Sequence, residues 1–469
     1  MKLSKKIAVA LAASAMLGSA GFATPAFAGT ADNIVAGGAT FPQNLIESCR
    51  ATFPGDSTAN PLAATVNYTG VGSGTGRTNF YNNTYDFAMS DSMWSASNSG
   101  YRSSFVWMPL ISGAINVAYR LDGVKPAGTV LQMTPATVAK IFSGQVKMWN
   151  DPAIKADNPV AAKPKLSALN GAANFALAKK GTKAALTVSL KNSVVTSKTK
   201  NMVITSSKDG GVTNTRRYNA KPKAGKYVLS LPYSAGTEYT IKYNNVVIGT
   251  VSIDATSVVL PATPITVYHR KESSGTTSNF LNFLNKTVPT IWTSSAAEAF
   301  AIPSALGSTP TDGSFVAAQG NDGVANGVMN KDGGIGYAEV SFVNERQLAG
   351  KSIASAKVQN PAGVFLAGSS AGAAKFVAAS SVNSTTGVVT FDYTTKDAAA
   401  YPITAVSYAM ANTSANTNSA NTAAKMLTAK RFVNYVLDVC APAVGELKGY
   451  APLPANVVAI SKTIAEGIQ

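Results

Sequence analysis

The order of apolar and polar positions divides the chain into three stretches. Across residues 31–160, short apolar runs at 65–68 and 114–119 read as strands. Residues 42–53 and 135–141 carry apolar positions at helical spacing, and each opens on a proline. Such alternation predicts an α/β sheet. From 165 to 260 the pattern changes. Strand-like pieces recur at 185–190, 202–205, 226–231, 239–243 and 246–253, with turn signals at Asp209-Gly210-Gly211 and Asn244-Asn245. This spacing predicts a small all-β sandwich, of which the immunoglobulin-like domain is the model case. After residue 262 the α/β pattern resumes, with a helix expected at 276–284, a strand at 334–340, a hairpin at 383–392 and a helix at 422–440.

Composition sharpens this picture. A chain of 469 residues, 46% hydrophobic and 13% charged, implies two or three well-buried domains and excludes disorder. Lys2, Lys5 and Lys6, the apolar run 7–17 and Ala26-Phe27-Ala28 read as a secretory signal peptide over residues 1–28. Without a cysteine just after that cut, no lipid anchor is expected. The periplasm is the expected location, with secretion to the cell surface as the alternative. Export permits a disulfide. Cys49 and Cys440, both on apolar faces, are either bridged or two buried thiols, and the bridge is the preferred reading. One histidine and two distant cysteines give no metal-ligand cluster, and no cofactor is expected. The net charge is +17, and removing the three signal lysines leaves +14. Residues 165–260 hold fourteen Lys or Arg against Asp209, Glu238 and Asp254, so most of the basic character lies there.

Four segments carry candidate chemistry. Gly37-Gly38-Ala39-Thr40-Phe41-Pro42 precedes a helix and reads either as a plain helix start or as an anion-binding one. Gly70-Val71-Gly72-Ser73-Gly74-Thr75-Gly76-Arg77 fits neither the dinucleotide nor the nucleotide phosphate-loop pattern and remains a flexible turn or a backbone nest. Asp91 follows an apolar stretch and reads either as a solvated loop aspartate or as a buried carboxylate, which would need a donor or cation. His269-Arg270-Lys271-Glu272-Ser273-Ser274-Gly275-Thr276-Thr277 places a guanidinium, hydroxyls and a helix start in one turn, a set suited to an oxyanion. His269 reads as structural.

In this order, the four segments resemble the periplasmic phosphate-binding proteins of phosphate ABC transporters. Residues 138–145 and 149–154, Gly320-Asn321-Asp322-Gly323-Val324-Ala325, Gly334-Ile335-Gly336-Tyr337-Ala338-Glu339 and the tail 449–454 extend the likeness over 31–160 and 262–469. The resemblance implies a two-lobed clamshell, the type II periplasmic binding protein fold; residues 165–260, where the family usually has a short link, depart from it and read as an inserted all-β domain. Lobe I would comprise 29–114 and 338–469, lobe II 115–164 and 261–337, and the insert 165–260. Crossings between lobes are expected near Ile115 and Tyr337. Carried over by position, Thr40 and Phe41 bind phosphate through hydroxyl and backbone, and Ser73 through its hydroxyl. Asp91 accepts the ligand's proton, and Arg270 pairs with an oxygen. Ser274, Gly275 and Thr276 donate from the helix start. Glu272, where the family usually has Asp, orients Arg270, and Ser273 replaces the usual Gly.

The implied function is high-affinity binding of inorganic phosphate as the solute receptor of an ABC importer, by a monomer whose partner is the membrane permease and which is not an enzyme. An enzymatic reading with Ser274 as nucleophile lacks a base. A further alternative is a surface or matrix protein that keeps the clamshell and attaches to polyanions through the basic insert.

Overall fold

The computed structural model describes residues 32–93, 104–158, 161–169, 173–191, 202–208, 211–218, 226–234, 236–256, 258–414 and 421–468. The stretch read as a signal peptide and the Asp209-Gly210 turn lie outside them.

The long strand Phe105–Tyr119 organises the main body. Its sequence, FVWMPLISGAINVAY, is an almost unbroken apolar run and is buried nearly throughout, as a strand covered on both faces must be. Its first part, as far as Ala114, pairs antiparallel with Thr404–Asn412. Its end, Ile115 to Tyr119, pairs antiparallel with Gly334–Glu339. One strand thereby joins two half-sheets, with the change of partner falling between Ala114 and Ile115. On one side lie Thr404–Asn412, Phe87–Ser90, Ile34–Gly38 and Val66–Gly70; on the other, Gly334–Glu339, Thr266–Arg270 and Phe315–Ala318. Within each half the strands that lead to candidate site residues run parallel to a neighbour. Helices cover the faces. Their apolar stripes, such as Leu45, Ile46 and Cys49 on Gln43–Thr52 or Phe280, Leu281, Phe283 and Leu284 on Gly275–Thr287, complete one continuous core.

The chain stays with the second half-sheet beyond Tyr337. Helix Val340–Leu348 buries Phe342 and Val343 against Ala118, Val324 and Val328. Ala354–Ser355 pairs with Tyr119 and Ala118, and Lys357–Gln359 pairs with Gln132–Met133. The chain thus goes on pairing with this half of the molecule as far as Gln359.

Between Asn158 and Val258 the chain builds two separate antiparallel sheets. Five strands run in the order Gly211–Tyr218, Met202–Lys208, Thr237–Tyr243, Val246–Thr256, Ala161–Ala168. Three more run Lys226–Pro232, Lys183–Leu190, Ala173–Lys180. Strict alternation on Lys183–Leu190 and Lys226–Pro232 turns Leu186, Val188, Leu229 and Leu231 inward. With Ile204, Tyr239, Ile241 and Val251 they form a core distinct from that of the main body. The first and last strands meet at their outer ends, Ala161 opposite Thr256. A disulfide joins Cys49 to Cys440, 391 residues apart, in the buried core.

Candidate functional site

The candidate residues sit where parallel strands end. Thr40 lies just past Ile34–Gly38, Asp91 just past Phe87–Ser90, and Arg270 closes Thr266–Arg270. Ser73 opens helix Ser73–Tyr81 directly after strand Val66–Gly70. Ser274 caps helix Gly275–Thr287, accepting from Thr277 N at 3.2 Å. Crevices outside the carboxyl ends of strands are where open α/β sheets take ligands.

The crevice draws these residues together from both half-sheets. Asp91 N donates to Ser73 Oγ at 3.2 Å. Asp91 Oδ2 accepts from Thr276 Oγ1 at 3.4 Å, and Arg270 Nη1 donates to the same hydroxyl at 3.2 Å. Gly275 allows this approach: a Cβ there would lie 2.7 Å from Ser73 Oγ and 2.8 Å from Asp91 Cβ. Arg270 Nε donates to Glu272 Oε1 at 2.6 Å, and Nη2 binds the same oxygen. Glu272 also accepts from Gly320 N at 3.2 Å. Thr40 joins through Asn321, whose Nδ2 donates to Thr40 Oγ1 at 3.0 Å. Phe41 points its ring into the core against Tyr450, and its carbonyl accepts from Tyr450 Oη at 2.7 Å. The main chain at 40–41 is thereby fixed from below.

Thr40, Ser73, Asp91, Arg270, Ser274 and Thr276 are all buried. For Asp91 the burial has a consequence. Desolvation pushes its carboxyl up to about 7 from an ordinary 3.8, although Ser407, Arg270 and Thr276 act to lower it. Ser407 Oγ donates to Asp91 Oδ1 at 2.8 Å, and Asn279 Nδ2 to the Asp91 carbonyl at 2.7 Å. His269 lies beside the group: its ring stacks on Phe300 at 4.5 Å, its Nδ1 sits 3.1 Å from the Arg270 carbonyl, and burial lowers its pKa. No group of three or more His, Cys, Asp or Glu suited to a metal occurs among the described residues. Chemically, the crevice offers four hydroxyls, a helix start and one guanidinium as donors, and a single carboxyl able to accept or hold a proton.

Sequence reasoning did not assign roles to Asn321, Ser407, Glu298 or Arg77. Asn321 lies in a segment whose likeness to the family was visible. Ser407 sits on a fully buried strand that also carries Thr404 and Tyr408, and nothing in the sequence singles out its hydroxyl. Glu298 and Arg77 come from separate segments and meet only in the fold.

The profile of the PBP superfamily domain matches residues 23–257 and 252–439. The phosphate-binding protein PstS of Haemophilus influenzae is 24% identical over 438 residues, covering 92% of both chains. The phosphate-binding protein PstS 3 of Mycobacterium leprae is 25% identical over 302 residues, 63% of this chain and 52% of that one. PstS 2 of Mycobacterium tuberculosis is 25% identical over 291 residues, 61% of this chain and 49% of that one. The chain thus spans about half the length of these two mycobacterial relatives. The crystal structure of a DING protein shares the fold, with a TM-score of 0.52 at 17% identity over 92% of this chain and 94% of that one.

Proposed function

Because the chain belongs to the PBP superfamily, we propose that it binds inorganic phosphate as the extracytoplasmic receptor of an ABC phosphate importer, releasing it unchanged to a membrane permease. The relatives' names support this ligand. The observation that carries the reading is the buried Asp91 carboxyl, set among hydroxyls and a guanidinium. A crevice of donors alone would take any small oxyanion. An added acceptor demands that the ligand still carry hydrogen, which HPO₄²⁻ does and sulfate does not. Thr40, Phe41, Ser73, Arg270, Ser274, Gly275 and Thr276 supply the donors, and Glu272 holds Arg270 in place.

The lobes divide within the long strand, one taking the Ile34, Val66, Phe87 and Thr404 strands and the other the Thr266, Phe315 and Gly334 strands. The second lobe runs on through the Lys357–Gln359 pairing. The insert is an immunoglobulin-related sandwich. In support, hairpins join Ala173–Lys180 to Lys183–Leu190, Met202–Lys208 to Gly211–Tyr218, and Thr237–Tyr243 to Val246–Thr256, while the links between them change sheet. The protein acts as an exported monomer without catalytic activity. No helix among the described residues is long and apolar enough to cross a membrane. Exposed Lys165, Lys179, Lys180, Lys183 and Lys226 favour an added, salt-sensitive contact between the insert and polyanionic surfaces.

Crystals grown with phosphate test the site. A tetrahedral anion within hydrogen-bonding distance of Thr40, Ser73, Asp91, Arg270 and Thr276 is expected. An anion bound elsewhere, with this crevice filled by water, would refute the assignment.

A further inference from the structure

Beside the anion crevice lies a second polar cluster that spans the two halves of the molecule. Arg77 belongs to helix Ser73–Tyr81, which packs on the Ile34–Gly38 and Phe87–Ser90 strands. Glu298 belongs to the other half: two residues on, Phe300 stacks with His269, Phe315 and Tyr337. Arg77 Nη2 donates to Glu298 Oε2 at 2.7 Å. Arg77 Nη1 also donates to Ser90 Oγ at 2.9 Å and to Ser92 Oγ at 2.9 Å. Ser92 Oγ and Ser273 Oγ each donate to the Glu298 carboxylate. The side chains of the pair are 6% and 21% exposed, so water screens the contact only in part. A surface cleft lined by Gly74, Thr75, Arg77, Thr78 and Ser273 opens directly outside it. These charges can meet only while the halves are together.

We propose that Arg77 and Glu298 form a latch that holds the two halves closed over the bound anion, and so govern how fast the ligand leaves more than how it is recognised. The inference rests on the phosphate reading only for its ligand. Contacts present in the closed form and absent from the open one shift that equilibrium toward closure. Neither residue is among those assigned to the anion. The pair is nevertheless geared to the site at both ends. Ser73 lies one turn before Arg77 on the same helix, and the Glu298 carbonyl accepts from Ser274 N at 3.1 Å, steadying the helix start that faces the anion. Release requires the ion pair and its serine bonds to part, so their strength enters the dissociation rate. Glu298 is held ionised: its carboxyl sits below the ordinary range because the donors of Arg77, Ser273 and Ser92 outweigh its burial.

The test combines stopped-flow release of inorganic phosphate with small-angle scattering of the ligand-free protein. Glu298→Gln and Arg77→Gln should each raise the dissociation rate about tenfold or more while the association rate stays within about twofold. The double variant should be no faster than the faster single one, because the two residues act as one unit. Ligand-free Glu298→Gln should also show a larger radius of gyration than the parent. Ser273→Ala, which keeps the ion pair, should give a smaller acceleration of the same sign and serves if Glu298→Gln does not fold. Unchanged release in both single variants, or accelerations that multiply in the double variant, would overturn the latch. Scattering that responds to Glu298→Gln in a protein that binds no phosphate would uphold the latch and discard only the ligand.

Discussion

Asp91 is held in surroundings that oppose its ionisation, and two outcomes follow from the sign of that effect. The folded chain keeps a proton on Asp91 up to about pH 7, whereas the unfolded chain loses it near its ordinary value of 3.8. Between those limits the folded state binds more protons, so Asp91 lowers stability progressively as pH rises from about 4 to 7. Asp91→Asn should therefore be more stable than the parent in ligand-free form at pH 8, by about 2–4 kcal/mol, with the gap closing near pH 4. Thermal denaturation at the two pH values checks it; a constant gap would contradict it. The second outcome concerns selectivity. Once Asp91 carries its own proton it becomes a donor, so sulfate affinity should rise as pH falls from 8 to 5. A sulfate affinity that is flat across this range would remove the acceptor role. At this scale the sequence was informative because each local motif concentrates several anion-binding features around Thr40, Ser73, Asp91 and Arg270. The partners that tune them, Ser407 and Asn321, were not legible as such, since one serine on a buried strand and one asparagine at a helix start have many ordinary uses.

Among the elements, helix Gly275–Thr287 matters most, because its start is where the two halves approach each other. Gly275→Ala would place a methyl 2.7 Å from Ser73 Oγ and 2.8 Å from Asp91 Cβ, distances that force the halves apart. Phosphate affinity should fall by about 100-fold or more, roughly the loss of two good hydrogen bonds, with little change in melting temperature. Titration and a melt on the same preparation test this; unchanged affinity would contradict the closed geometry. Helices were readable where proline or a capping hydroxyl stood before an apolar stripe, as at Thr134, whose Oγ1 accepts from Thr137 N. The segment after Tyr435 was less so. It was read as one helix through Cys440, yet the chain widens there into a π-helical stretch, Val436–Gly445, with Pro442 inside it, a change set by packing that no periodicity announces.

The whole molecule is held together by contacts far apart in sequence. The Cys49–Cys440 bridge closes nearly the entire chain, and its removal as Cys49→Ala/Cys440→Ala should cost about 2–5 kcal/mol in denaturant unfolding while leaving the ligand crevice intact. An undiminished midpoint would show that the bridge adds nothing to the packed core. Deleting the eight-stranded insert should leave phosphate affinity within about twofold, because its core is separate and its ends meet where Ala161 faces Thr256. A large loss of affinity would mean the insert braces the clamshell. The change from α/β to all-β was plain in the sequence, since the period of apolar positions changes there. The strands begin at Ala161 and end at Thr256, slightly earlier than the 165–260 read from sequence, because Ala161–Ala168 is a lysine- and alanine-rich edge strand with weak patterning. The course of the chain after Tyr337 was hidden for a similar reason: short pairings such as Ala354–Ser355 on Tyr119 carry no sequence signal. All of this bears on the proposed property, a closed crevice that would admit an oxyanion only if it brings a proton. Isothermal titration at pH 8 of protein freed of carried ligand measures it. The account predicts tight binding of one phosphate per chain and no measurable heat with sulfate. Equal affinity for the two anions, or no heat with phosphate, would contradict it.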